Sequence, residues 1–386
     1  MIMNIDTKNS SKLPNVKTTI FTTVGNLARK HKALDLSQGF PNFEADPNLI
    51  SLVNNAMMEG HNQYAPMQGY FGLREVISEK IQTLHGHQYH PENELTITVG
   101  ATQAIYTAIS AFVHVGDEVI VLKPAYDCYE PAILVNGGKP VFLQLDAPDY
   151  SIDWEAFKAK ITKKTKMLII NTPHNPSGKI LSQNDMLCLQ EILKDTNILV
   201  LSDEVYEHIV FDGQQHQSVS RFPDLVQRSF VCASFGKTFH VTGWKMGYCA
   251  APKALMEEFR KVHQFAVFCV DHPVQRAFAE YLKTPEHYLG LNDFYQRKRD
   301  LFLKGLADSK FKFIPSQGTY FQLLDYTQIT QESDEDFAKK LILEHKLASI
   351  PISSFNVNDR DDKVLRFCFA KKEETLERAV EILSSL

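Results

Sequence analysis

Between about residue 95 and residue 250, short apolar runs alternate with stretches of helical spacing. Leu95-Thr96-Ile97-Thr98-Val99 alternates like a strand. After Gly100, Ala101-Thr102-Gln103 opens a helix with Ile105, Ile109, Phe112 and Val113 at helical spacing. Further strands are expected at Glu118–Leu122, Pro140–Leu143, Met167–Asn171, Ile198–Ser202, Phe230–Ala233 and Gly247–Ala250, with helices at about 183–195 and 253–266. Strands alternating with helices predict a mainly parallel, doubly wound α/β sheet. After Pro273 one long amphipathic stretch runs to about Leu306. Beyond it, strands are expected at Gly318–Leu324 and Val364–Phe369, and helices at Asp334–His345 and Glu373–Leu386. The pattern predicts an N-terminal arm over 1–15, a large domain over 46–280, and a smaller α+β domain. That smaller domain is discontinuous, from 16–45 and 281–386.

Composition narrows the classes. The 386 residues are 44% hydrophobic and 23% charged, which suits a globular chain long enough for two domains. A net charge of −5 argues against nucleic acid as a partner. No run approaches the ~18 apolar residues of a membrane span. The first fifteen residues are polar, without the apolar core of a signal peptide. Six cysteines form no C-x-x-C pair and mostly sit inside apolar segments, as expected of reduced thiols in a cytoplasmic protein.

In open α/β sheets, ligands gather beyond the carboxyl ends of the strands. Here those ends are followed by Gly100-Ala101-Thr102, Tyr126, Asn175, Asp203 and Ser234-Phe235-Gly236-Lys237. A lysine in a small-residue loop suits Schiff-base chemistry with an aldehyde cofactor such as pyridoxal phosphate. The phosphate needs donors. Ala101, Thr102 and Gln103 at a helix start supply backbone N–H groups and a hydroxyl, Ser234 another hydroxyl, and Lys245 a charge. A carboxylate must face the pyridinium nitrogen, and Asp203 fits. Tyr206 and Asn175 suit the phenolic oxygen, and Tyr126 can cover the ring face. Lys237 supplies the Schiff base and then serves as the free base.

These stations fall within longer motifs: Tyr64-Ala65-Pro66 with Leu73-Arg74, Asn171-Thr172-Pro173-His174-Asn175-Pro176-Ser177-Gly178, Ser202-Asp203-Glu204-Val205-Tyr206, Ser234-Phe235-Gly236-Lys237-Thr238, and Arg366-Phe367-Cys368-Phe369-Ala370. Together they resemble the class I/II aminotransferases, fold-type I enzymes that use pyridoxal phosphate, in order over nearly the whole chain. Leu36-Ser37-Gln38-Gly39-Phe40-Pro41 and Thr242-Gly243-Trp244-Lys245 point to the kynurenine–oxoglutarate/methionine branch, and within it to the bacterial methionine aminotransferases. The resemblance implies that Arg366 binds the substrate α-carboxylate, assisted by Asn175 and the Gly39 backbone. It also implies a homodimer in which Tyr64 reaches the partner's cofactor phosphate. Many members of the wider family carry arginine where Lys245 stands; lysine keeps the charge but loses the fork.

The expected activity is transfer of the amino group of methionine or aromatic amino acids to a 2-oxo acid, in two half-reactions through Lys237. Phe40, beside Gly39, is the aromatic residue expected to face substrate. The alternative on the same fold is a carbon–sulfur β-lyase, distinguished by ammonia release and by independence from an oxo acid. A ligand-sensing regulator is the third reading, but about thirty-five residues ahead of the motifs are too few for a DNA-binding domain. His85-Gly86-His87-Gln88-Tyr89-His90 is spaced too loosely for a metal site. His208 and His216 are expected to flank a hairpin turn at Asp212-Gly213. Cys128 is expected to be a packing thiol, and Glu332–Asp336 an acidic helix start.

Overall fold

The computed structural model describes residues 11–386; the first ten residues of the expected arm lie outside the described residues. In chain order the strands are β1 (Leu34–Asp35), β2 (Leu95–Thr98), β3 (Glu118–Lys123), β4 (Lys139–Gln144), β5 (Thr165–Asn171), β6 (Leu199–Asp203), β7 (Ser229–Ser234), β8 (Gly247–Ala250), β9 (Phe321–Asp325), β10 (Leu347–Ala348), β11 (Ile350–Pro351) and β12 (Val364–Cys368). Seven of them form one sheet in the order β2-β8-β7-β6-β5-β3-β4. All neighbours are parallel except β8, which runs antiparallel to both β2 and β7.

The sheet is covered on both faces, so its central strands are apolar throughout. Every residue of β3 is buried. Its side chains alternate between two cores: Val119 and Val121 join one, Ile120 and Leu122 the other. The first core also takes Ile105 and Ile109 from the helix Gly100–Phe112 and Phe259 from the helix Lys253–Ala266. The second takes Leu73 and Ile77 from Phe71–His85 and Met186 and Leu189 from Gln183–Leu193.

The long amphipathic stretch after Pro273 forms three helices: His272–Tyr281, Glu286–Leu289 and Leu291–Gly305. Pro285 caps the second, and a proline cannot continue the helix before it. The Asp212-Gly213 turn exists, with both residues at positive φ, but it does not close a hairpin. Val210 bridges Gly318 instead, and His208 and His216 are both buried.

The remaining strands form β11-β12-β9, an antiparallel sheet, and β1 paired in parallel with β10. β1 therefore joins the N-terminal stretch to residues 347–348, more than three hundred positions later. This part supplies Arg366 from the central strand β12.

The β7–β8 contact is tight at Gly247. A methyl group there would press on the Ala233 carbonyl oxygen and lie 3.0 Å from Ala101 N. Overpacking of this kind costs about 1–3 kcal/mol. Gly247→Ala should therefore lower the unfolding free energy by that amount, read as a lower urea midpoint at unchanged m-value; a midpoint equal to that of the parent would refute the constraint.

Candidate active site

The parallel register sets the site. Asn171, at the end of β5, lies opposite Asp203 at the end of β6, which lies opposite Cys232, two residues before Ser234. Ser234 lies opposite Gly247, and β8 brings Lys245 beside the start of the helix Gly100–Phe112. A cleft of about 240 Å³ opens at this edge. Ala101, Thr102, Tyr126, Asn175, Asp203, Tyr206, Ser234, Lys237 and Lys245 line it, with Gly39, Phe40 and Arg366 from the other part of the chain.

Lys237 sits in the short helix Phe235–Thr238, and its ammonium donates to Gly39 O at 2.8 Å. Loss of water around it pushes its pKa down to about 8, and the Arg366 and Lys245 charges add to the shift. Asp203 is almost fully buried. Burial raises its carboxyl to about 6, against hydrogen bonds from Tyr129 Oη to Oδ2 at 2.5 Å and from Val205 N to Oδ1 at 3.3 Å. Its backbone carbonyl accepts from Asn171 Nδ2 at 2.9 Å.

Arg366 is 1% exposed. One terminal nitrogen donates to Asn175 Oδ1 at 2.6 Å and the other to Ser37 O at 3.3 Å. Its Nε has no partner among the described residues, and the guanidinium stacks 3.9 Å from the Phe321 ring centroid. Burial lowers its pKa to about 10, still charged at neutrality. A buried guanidinium with unspent donors suits a planar anion such as a carboxylate.

Two expected residues do not line this cleft. The Gln103 side chain turns back along its helix, accepting from Val99 N at 3.1 Å and donating to Thr107 Oγ1 at 2.6 Å. Its backbone lies in the first turn of that helix. Tyr64 is 80% exposed and packs edge-on against Phe268, away from the cleft of its own chain.

Two further residues here, Tyr129 and Tyr320, were not singled out from the sequence. Tyr129 holds Asp203. Tyr320 Oη donates to Gly39 O at 2.6 Å and its ring meets Tyr206 edge-on. Phe21, Gln38, Ile105, Thr242 and Phe321 complete the wall. Tyr129 alone had a signal, standing three residues after Tyr126 at the start of a helix.

The residues present fit a phosphorylated pyridine aldehyde. The helix start at Gly100, itself at φ +69°, leaves first-turn N–H groups free beside Thr102, Ser234 and Lys245. Asp203, Lys237 and Arg366 stand in the same cleft as unneutralised groups of the required types. Among the described residues no group of three or more His, Cys, Asp or Glu is placed to hold a metal ion.

Known proteins share this frame. The family model for aminotransferase class I and II matches residues 31–383. The methionine aminotransferase of Escherichia coli K12 is 46% identical over 377 residues, 97% of this chain and 98% of that protein. Human kynurenine–oxoglutarate transaminase 1 is 32% identical, covering 92% of this chain and 93% of its own. The crystal structure of YbdL from Escherichia coli, in which a methionine aminotransferase function was identified, superposes with a TM-score of 0.95 at 45% identity. That match spans 97% of this chain and 99% of the other.

The depressed lysine is directly measurable. In cofactor-free protein, Lys237 should react with an amine-acylating reagent with a pH midpoint near 8. Peptide mapping would read it, with exposed lysines as reference. A midpoint at the reference value would show that the cleft leaves the amine solvated.

Proposed function

The chain belongs to the class I and II aminotransferases and is an amino-group transferase. On that premise we propose that its cleft takes pyridoxal phosphate and moves the amino group of methionine and aromatic L-amino acids to a 2-oxo acid. The observation that carries the reading is the meeting of Lys237, Asp203 and Arg366 in one cleft.

When bound, the cofactor supplies an aldehyde that captures the donor amine and a ring that accepts the electron pair released at Cα. This chain's residues do the rest. Thr102, Ser234, Lys245 and the N–H groups at Ala101 and Gln103 hold the phosphate. Asp203, ionised at neutral pH with Tyr129 on Oδ2 and Val205 N on Oδ1, offers the second lone pair of Oδ1 to the ring nitrogen. Tyr206 and Asn175 donate to the phenolic oxygen, and Tyr126 covers the ring. Arg366 orients the donor through its α-carboxylate, helped by Asn175 and the Gly39 backbone. Lys237 Nζ, with its pKa near 8, is the base that takes the Cα proton close to neutral pH.

Donor choice follows from the wall. Phe21, Phe40, Ile105, Tyr126 and Phe321 present apolar surface, and among the described residues Arg366 is the only arginine lining the cleft. A side-chain carboxylate would lose its hydration there without a partner, whereas thioether and aromatic groups gain. The Escherichia coli relative's methionine activity points the same way. We place the protein in the cytosol, where its six free cysteines stay reduced.

The decisive experiment has two arms. Borohydride treatment of protein loaded with pyridoxal phosphate should attach one pyridoxyl group, on Lys237. With 2-oxo acids as acceptors, kcat/KM for methionine or phenylalanine should exceed that for aspartate by at least about tenfold. Label on another lysine sinks the cofactor assignment; a ratio below one overturns the donor assignment alone.

Tyr64, exposed beside Phe268, would complete the phosphate site of a two-fold partner. Tyr64→Ala and Lys237→Ala proteins, each inactive, should regain up to about a quarter of parental activity when mixed under subunit exchange, the share expected if half of randomly mixed dimers carry one intact site. No recovery in verified mixed dimers would place Tyr64 outside the partner's site.

A further inference from the structure

Lys371 carries a buried charge that the assigned chemistry does not use. It is 3% exposed, just beyond β12. Its ammonium donates to Phe40 O at 3.0 Å and to Gln38 O at 3.5 Å, and lies 5.2 Å from the Phe40 ring centroid. No carboxylate among the described residues pairs with it. A buried cation without an acid partner is costly, so two carbonyls and a ring face must carry its solvation.

The geometry on the other side makes this arrangement specific. The Gly39 carbonyl, between the two that Lys371 holds, accepts from Lys237 at 2.8 Å and from Tyr320 at 2.6 Å. Three successive carbonyls are thus pinned alternately from opposite sides. Gly39 also lies close against Phe321, since a methyl group on it would lie 2.8 Å from that ring. Past Phe40, Lys372 N donates to Asn42 Oδ1 at 2.7 Å and Asn42 Nδ2 to Thr375 Oγ1 at 3.0 Å. Lys371 is itself fixed, because Lys298 Nζ donates to its carbonyl at 2.9 Å. Phe40 is 47% exposed, so packing alone does not hold its ring.

We propose that Lys371 is a selectivity-positioning residue: through the Gln38 and Phe40 carbonyls it fixes the Phe40 end of the Gly39–Phe40 ledge, while Tyr320 holds the Gly39 carbonyl from the other side, and so it sets where the aromatic wall meets the donor side chain. This rests on the reading of the cleft as an aminotransferase site for thioether and aromatic donors. Lys371 touches no substrate itself. Its effect is carried by Phe40, so it is felt by donors long enough to reach that ring and not by alanine.

Lys371→Met keeps the stem and removes the charge and donors. Kinetics with methionine, phenylalanine and alanine, at one saturating oxo acid, should show KM for the two long donors rising about tenfold. kcat/KM for alanine should stay within about twofold. Calorimetric affinity for 3-phenylpropionate, which lacks the reacting amine, should fall by the same factor as that for phenylalanine. Lys371→Arg should restore most of the preference; Lys371→Gln, with a polar head, serves if the methionine variant does not fold. Equal losses for all donors, or an unchanged ratio of long donors to alanine, would overturn the proposal. If the parent transaminates none of the three donors, the functional reading fails instead, while 3-phenylpropionate affinity still tests the ledge.

Discussion

The parallel register of β5, β6 and β7 is the constraint on which the site depends. A one-residue slip in any of these strands would turn Asn171, Asp203 or Ser234 to the opposite face and send apolar neighbours into the cleft. The register is held because both faces of these strands are buried. Ile169 and Leu201 enter one core, and Ile170 and Val200 the other, so no slipped pairing keeps both filled. Polar residues appear where each strand runs out of core. Asp203 is the last residue of β6, and its own carbonyl is tied back to β5 by Asn171.

That frame permits charges which folding alone would not favour. Arg366, Asp203 and Lys237 are drawn from different parts of the chain into one enclosure. None of them has an ion-pair partner among the described residues. Burial pushes the Asp203 carboxyl up and the Lys237 and Arg366 pKa values down, the direction in which each would lose its charge. Such groups lower the stability of the empty fold, and a ligand carrying complementary charges offsets that cost on binding.

Much of the fold was legible because its signal is local. Each of the seven strands of the large sheet was expected within about two residues, since a buried parallel strand reads as a short apolar run bounded by turn residues. The chemistry was legible where it follows those runs directly, as at Asp203 and Lys237. What could not be read depends on rotamer or distance. Nothing local says that the Gln103 side chain turns back to Val99 N and Thr107, or that the phenol of Tyr129 reaches Asp203. The amphipathic stretch after Pro273 did not show its division into three helices, because the apolar spacing resumes in phase after Pro285, which hides the interruption from a periodicity count.

The histidines set aside as turn or loop residues show the same limit from another side. His85 lies 3.7 Å from Glu207, His208 3.2 Å from Lys80, and His216 2.8 Å from Glu204. All belong to one buried cluster behind the segment that carries Asp203 and Tyr206. Glu204 also accepts from Ser202 Oγ and Val219 N, and Glu207 from Lys80 and Tyr248. Burial works against the Glu207 charge, yet Lys80 and the adjacent histidines hold its carboxyl well below the usual range. One short segment thus turns Asp203, Val205 and Tyr206 toward the cleft and Glu204, Glu207 and His208 toward a polar interior. In sequence these residues read as one charged, polar run. The fold divides them between a face that meets ligand and a face that fastens the segment in place. That division explains how a segment rich in acidic residues can be both rigid and buried.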